Sequence, residues 1–170
     1  MADLAEIEAR LRVLEDIEAI RKLKHKYLRC LDGKLFDEMS DLFTDDVRTS
    51  YFNGEIRTEG KQATLDFFKM GLIEDLVALH HGHHAEIEIT GPTTATGIWG
   101  LYNYLIDKKH NKRQRVGGIY HETYVKIDGQ WKIRSIVCRQ LFQETWDQSD
   151  IPSTQVFYRG TPRFAATPDR

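Results

Sequence analysis

The apolar residues of this chain change their repeat once, a little after residue 73, and that change constrains the fold more than any other feature. Leu4, Ile7, Leu11, Leu14, Ile17, Ile20, Leu23, Tyr27 and Leu31 recur at three or four residues, the spacing of one helix face. Beyond the change the repeat is two. Ala85 to Thr90, Ala95 to Ile106, Val116 to Ile127 and Trp131 to Phe142 read as strands, punctuated by Gly91-Pro92, Lys108 to Arg113 and Asp128-Gly129. Helices followed by a run of hairpin-linked strands predict an α+β architecture. A long, strongly curved and mainly antiparallel sheet then wraps around three N-terminal helices and leaves a cone-shaped cavity.

The segment between the two regimes carries the remaining elements. Asp32-Gly33 ends the first helix, with Gly33 suited to the left-handed position after it. Lys34 to Phe43 reads as a short helix with Leu35, Met39, Leu42 and Phe43 inward, and Thr44-Asp45-Asp46 as the turn after it. Val47 to Phe52 and Glu55 to Thr58 form a hairpin around Asn53-Gly54. Lys61 to about Ile73 is a third helix with Leu65, Phe68 and Leu72 inward. One domain spans 1–146. Residues 147–170, broken by Pro152, Pro162 and Pro168, read as an extended tail. The first turns of the long helix, rich in Glu and Arg, project from the domain or pack on a partner subunit.

Composition narrows the classes of function. With 170 residues, 41% hydrophobic and 29% charged, the chain can bury a sizeable core as a globular protein. A net charge of -2 argues against a nucleic-acid surface, and the basic stretch Lys108 to Arg113 reads as a solvated hairpin loop. No apolar run approaches the roughly 20 residues that span a bilayer. The charged N-terminus lacks the apolar centre of a signal peptide. A cytoplasmic protein that binds no membrane is expected. Cys30 and Cys138 lack metal-ligand spacing and fit reduced core residues.

The chemistry-bearing residues stand apart from this scaffold. Tyr27 lies on the apolar stripe, Asp32 at the helix end, and His80-His81-Gly82-His83-His84 just before the first long strand. A phenol, a carboxylate and an imidazole near the mouth of an apolar core suit proton transfer on a small apolar molecule. On a regular strand His81 and His83 share one face, and His80 and His84 the other. No further spacing completes a ligand set, so no metal is expected. Strict alternation also sets His80 opposite Ile87 and Ile89. A bulge, for which Gly82 is the natural place, would bring them to one face.

Several longer segments carry a resemblance: Asp16 to Ile20, Tyr27 to Lys34, Thr49-Ser50-Tyr51, Asn53-Gly54, Thr93 to Gly97 and Lys126 to Trp131. With the order of elements, they resemble the SnoaL-like branch of the superfamily that includes scytalone dehydratase, ketosteroid isomerase and nuclear transport factor two. Within that branch the chain closely resembles the bacterial bile-acid 7α-dehydratases, from about residue 3 to residue 145. The resemblance implies a cystatin-like fold and a lyase that needs no cofactor, acting on a 3-oxo-Δ4 7α-hydroxysteroid as a homo-oligomer, with a trimer favoured. Carried over by position, Tyr27, His80 and Asp32 are catalytic, and Tyr51, Asn103, Tyr120 and Arg139 bind substrate. Asn103 departs from the pattern, which has an aspartate there to pair with the histidine. An amide oxygen orients an imidazole but supplies no full charge, so either Asp32 or Asn103 would hold His80. A related dehydratase or isomerase, or a non-catalytic binding protein of the same fold, is the alternative.

Overall fold

A computed structural model describes residues 3–155. The elements are helices α1 (Leu4–Gly33), α2 (Phe36–Ser40) and α3 (Lys61–Gly71), and strands β1 (Phe43–Tyr51), β2 (Ile56–Glu59), β3 (Leu76–Gly91), β4 (Thr94–Asp107), β5 (Lys112–Ile127) and β6 (Gln130–Asp147). They form one sheet in the order β2-β1-β6-β5-β4-β3. β1 runs parallel to β6, and all other neighbours are antiparallel. The α+β reading holds: the sheet curls over the helices, and Val47, Leu65, Phe68, Trp99, Ile133 and Ile136 pack in one core between them.

α1 begins where the Asp3 carboxylate accepts the Glu6 amide at 2.7 Å, which satisfies one free N–H of the first turn. Its stripe divides in two. Ile20, Leu23, Tyr27, Leu28 and Leu31 are buried, whereas Leu4, Ile7, Leu11 and Leu14 are exposed on a segment that projects from the domain. The left-handed residue at the helix end is Lys34, at φ 52°, rather than Gly33. The Lys34 ammonium donates to the Leu76 carbonyl at 2.9 Å, and this tie offsets part of the cost of a left-handed non-glycine residue.

The second helix is shorter than its sequence pattern indicates, because β6 captures its end. The Ile133 amide donates to the Leu42 carbonyl at 2.8 Å, and Phe43 pairs with Ile133. Thr44 to Asp46, expected as a turn, is an irregular stretch inside β1. The hairpin at Asn53-Gly54 is present, but it closes at Tyr51 and Ile56 around a four-residue loop. The Asn53 side chain accepts the Gln140 amide at 2.9 Å and donates to its carbonyl at 3.4 Å. The loop is therefore fastened to β6 instead of closing as a two-residue turn.

Four register shifts interrupt the long strands, and two of them lie beside the cavity. In β3 the register breaks between His83 and Glu86, and His84 adopts φ 51°. The bulge thus lies at His84 and not at Gly82. Ala78, His80 and Gly82 face inward on one side of it, and Ala85, Ile87 and Ile89 on the other. His84 does not share the His80 face; it is exposed beside His83. Gly82 has a different task, since a Cβ there would lie 2.6 Å from Leu28 Cδ1. Any larger residue there would push the Leu28 side chain aside where α1 meets β3. In β6, Gly117 pairs with Phe142 and Gly118 with Gln140, which leaves Leu141 as the extra residue. Bulges increase local twist, so both add to the curl of the long strands.

The basic stretch forms a turn only as far as Asn111. Arg113 is buried in β5, where it donates to the Tyr104 hydroxyl at 3.2 Å and to Gln148. Both cysteines are free and buried. β6 continues to Asp147, whose carboxylate accepts the Ser149 amide at 2.8 Å and opens a 3-10 turn over Gln148–Asp150. The expected extended tail therefore begins as a turn, and its part from residue 156 on lies outside the described residues. Among the described residues no helix is long and apolar enough to cross a membrane.

Candidate active site

The inner faces of α1, α3 and the long strands enclose a cavity of about 260 Å³. Tyr27 reaches it from the buried half of α1. Its ring packs edge-on against Phe43 and Phe68, and its hydroxyl meets that of Tyr51 at 2.9 Å. Tyr51, at the end of β1, is stacked on Phe67 of α3 with ring centres 5.2 Å apart. Tyr120 enters from β5. Burial pushes all three phenols well above their ordinary value. They therefore serve as neutral hydrogen-bond donors across the physiological range.

His80 lies at the edge of the same cavity. Asp32, in the last turn of α1, grips it twice. Its carboxylate accepts the His80 main-chain N–H at 3.0 and 3.1 Å and holds ring Nδ1 at 2.6 Å. An ionised carboxylate only accepts, so Nδ1 carries the proton and Nε2 keeps its lone pair. Of the two groups proposed to orient the imidazole, Asp32 makes the contact. Asn103 is the residue directly across from His80 in the β3–β4 ladder and also lines the cavity. It is 8% exposed, and its Oδ1 has no hydrogen-bond partner among the described residues.

Arg139 is the one sequence-derived site residue that neither lines the cavity nor bonds to a residue that does. It is exposed on β6, while its neighbours Cys138 and Gln140 line the cavity. Alternation along the strand places it on the outer face, away from the cavity that its neighbours line. The polar positions in its stead are Gln114, Gln140 and Gln143. None of the cavity-lining residues is Lys, Arg, Asp or Glu, so the site suits an uncharged ligand. Cys138 is no nucleophile candidate, since burial pushes its thiol up to about 11. Among the described residues no group of three His, Cys, Asp or Glu side chains is arranged to hold a metal ion.

A buried ion pair behind the phenols was not anticipated. Lys24 and Glu122, both wholly buried, are in direct contact. Glu122 also accepts from the Tyr124 hydroxyl, which in turn accepts from Trp99 Nε1 at 2.9 Å. The signals were present in the sequence. Lys24 falls on the helix face of Ile20, Tyr27 and Leu31, and Glu122 alternates in step with Tyr120 and Tyr124.

The profile of the SnoaL-like domain matches residues 12–137. The chain belongs to the SnoaL-like family. In structure it is similar to a Novosphingobium aromaticivorans protein provisionally named scytalone dehydratase, at 24% identity and a TM-score of 0.72 over 77% of this chain and 87% of that one. A type 2 hexachlorocyclohexane dehydrochlorinase (LinA) aligns at 19% identity and a TM-score of 0.74, covering 81% of this chain and 93% of the other. An NTF2-like protein with a cystatin-like fold, also from N. aromaticivorans, aligns at 21% identity and a TM-score of 0.68, covering 83% and 92%. These likenesses establish the cystatin-like fold.

Proposed function

We propose that the protein is a cofactor-independent hydro-lyase that removes water from a polycyclic hydroxy-enone whose uncharged rings enter the cavity, with a 3-oxo-Δ4 7α-hydroxysteroid of the bile-acid type as its substrate. One observation carries the reading: an Asp32-held imidazole whose Nε2 has no partner among the described residues, at the edge of an apolar cavity furnished with buried phenols. The names of two similar structures denote loss of water and of hydrogen chloride, and both reactions call for a base at a C–H bond. The segments that resemble bile-acid 7α-dehydratases supply the substrate class.

The chemistry follows from the enone. Its C6–H is vinylogous to the C3 ketone, so His80 Nε2 removes that proton to give a dienolate, and phenolic O–H groups stabilise the charge on the ketone oxygen. The imidazolium then protonates the C7 hydroxyl on the same face. The C7–O bond breaks, the C6–C7 double bond forms and water departs. Protons balance and no redox partner enters. In this reading Tyr27 and Tyr51 act as a hydrogen-bonded donor pair. Asn103 binds the leaving hydroxyl, which would give its Oδ1 a donor.

The test is absorbance. A 3-oxo-Δ4 7α-hydroxysteroid gains a longer-wavelength band as the conjugated dienone forms, and turnover with purified protein alone is expected. Tight binding without that band would instead mark a binding protein. The cavity volume favours a second reading. About 260 Å³ lies just under the usual range for ligand sites, so part of a four-ring substrate would sit in the mouth beside Phe52 and Leu72. Turnover of a bicyclic hydroxy-enone, with none of the steroid, would select a dehydratase for smaller rings.

We also propose that the protein is a homo-oligomer, a trimer on the strength of the resemblance. Leu79, Ile98 and Tyr102 stand exposed on the face of the sheet turned away from the helices, with Leu141 and Phe142 also exposed on β6. Exposed apolar surface of this kind is costly in water. Light scattering is expected to give three chain masses for the native protein and a smaller assembly for Tyr102→Asp. A monomeric native protein would refute the proposal.

A further inference from the structure

We infer that Lys24, Glu122 and Tyr120 form a buried donor unit, in which the ion pair strengthens the Tyr120 hydroxyl as the hydrogen-bond donor to the substrate's ketone oxygen. Tyr120 lines the cavity, and its hydroxyl has no hydrogen-bond partner among the described residues. Its O–H is therefore free for a ligand, whereas one of the two O–H groups of the Tyr27–Tyr51 pair is spent on the other. Lys24 Nζ lies 3.6 Å from the centre of the Tyr120 ring and 4.5 Å from that of Tyr27.

An ammonium has three N–H donors. One meets Glu122, and the aromatic faces of Tyr120 and Tyr27 surround the remainder. The carboxylate is tied to Tyr124 and through it to Trp99. The Lys24 ammonium is thus held in place against the ring of Tyr120. A cation on an aromatic face withdraws electron density from the ring, and within a dry core this interaction is stronger than at a surface. The O–H of that phenol becomes a better donor to an oxygen that gains negative charge in the transition state. Lys24 is a positioning residue here, acting only through Tyr120.

The inference rests on the enone reading of the site, and its test separates the two. Androst-4-ene-3,17-dione carries the enone but no 7-hydroxyl, so it binds without reacting. The π→π* absorption band of an enone moves to longer wavelength as its carbonyl is hydrogen-bonded more strongly. Bound to the native protein, the probe is expected to show this red shift. Tyr120→Phe should abolish most of it. Lys24→Met combined with Glu122→Gln, a neutral pair that keeps the Tyr124 hydrogen bond, should cut it by about half and lower kcat about tenfold with little change in KM. A purely structural role for the pair would leave the shift per bound molecule unaltered. An undiminished shift in the double variant, or in Tyr120→Phe, overturns the donor unit and leaves the lyase reading standing. Failure of the native protein to bind the probe overturns the enone reading, and the donor unit with it.

Discussion

Replacing His80 with alanine is expected to lower kcat for dehydration by about 10²–10⁴-fold, the usual contribution of a positioned base. The fold should survive, because the side chain lies at the edge of a cavity rather than in the packed core. Asp32→Asn should be nearly as damaging by a different route. The carboxylate dictates that Nδ1 carries the proton. An amide also offers an NH₂ donor, which would turn Nδ1 into an acceptor and place the proton on Nε2, the nitrogen that has to accept one. Near-native affinity for the unreactive enone probe, with turnover lost, would mark both variants as defective in chemistry. His80→Ala turnover within tenfold of native would remove the imidazole from the mechanism and reassign the base.

These residues differ in how visible they were in the sequence, and the differences have physical causes. Tyr27 and Asp32 lie on a helix, where a 3.6-residue period carries position reliably from one turn to the next. His80 lies on a strand, where a single inserted residue reverses every later assignment. Its face was legible only on the assumption of a bulge, and the bulge came at His84. Arg139 failed for the same reason that makes strands legible: inward-facing Ile136 and Cys138 on its own strand force it out. Gln143 shows the converse. Counting by twos from Cys138 leads to Gln140 and then Phe142, yet Leu141 is the bulged residue, and the inward position passes to Gln143.

Element type was legible where a period ran long, and element ends were not. Lys34 and Leu42 depart from their local patterns because distant backbone takes up their polar groups: the Leu76 carbonyl in one case, the Ile133 amide in the other. No window of neighbouring residues contains that information. The buried ion pair was hidden for another reason. A charged residue on an apolar face reads as an interruption until its partner is known, and Lys24 and Glu122 are 98 positions apart in the chain.

Glu122→Gln alone is expected to destabilise the fold by about 3–5 kcal/mol at pH 7, the usual cost of stranding a buried charge. Burial already pulls the Lys24 ammonium below its ordinary value, and the Glu122 carboxylate opposes that pull. Without the carboxylate, the folded state holds the proton of Lys24 still less firmly than the unfolded chain does. A depressed folded value means that stability is lost as pH falls through it and is fully present only above the unfolded value near 10.4. The variant should therefore regain stability between pH 7 and about 10, relative to the native protein measured alongside. Urea denaturation at pH 7 and pH 9.5 reads both effects. Lys24→Met combined with Glu122→Gln has no charge to strand and is expected to lie within about 1–2 kcal/mol of the native protein, since a buried pair replaced by neutral groups is often close to neutral in energy. A double variant as unstable as Glu122→Gln would place the cost in packing. A stable double variant that turns over slowly would mean that the pair contributes little to folding, and that its place beneath Tyr120 has to be explained by what happens in the cavity.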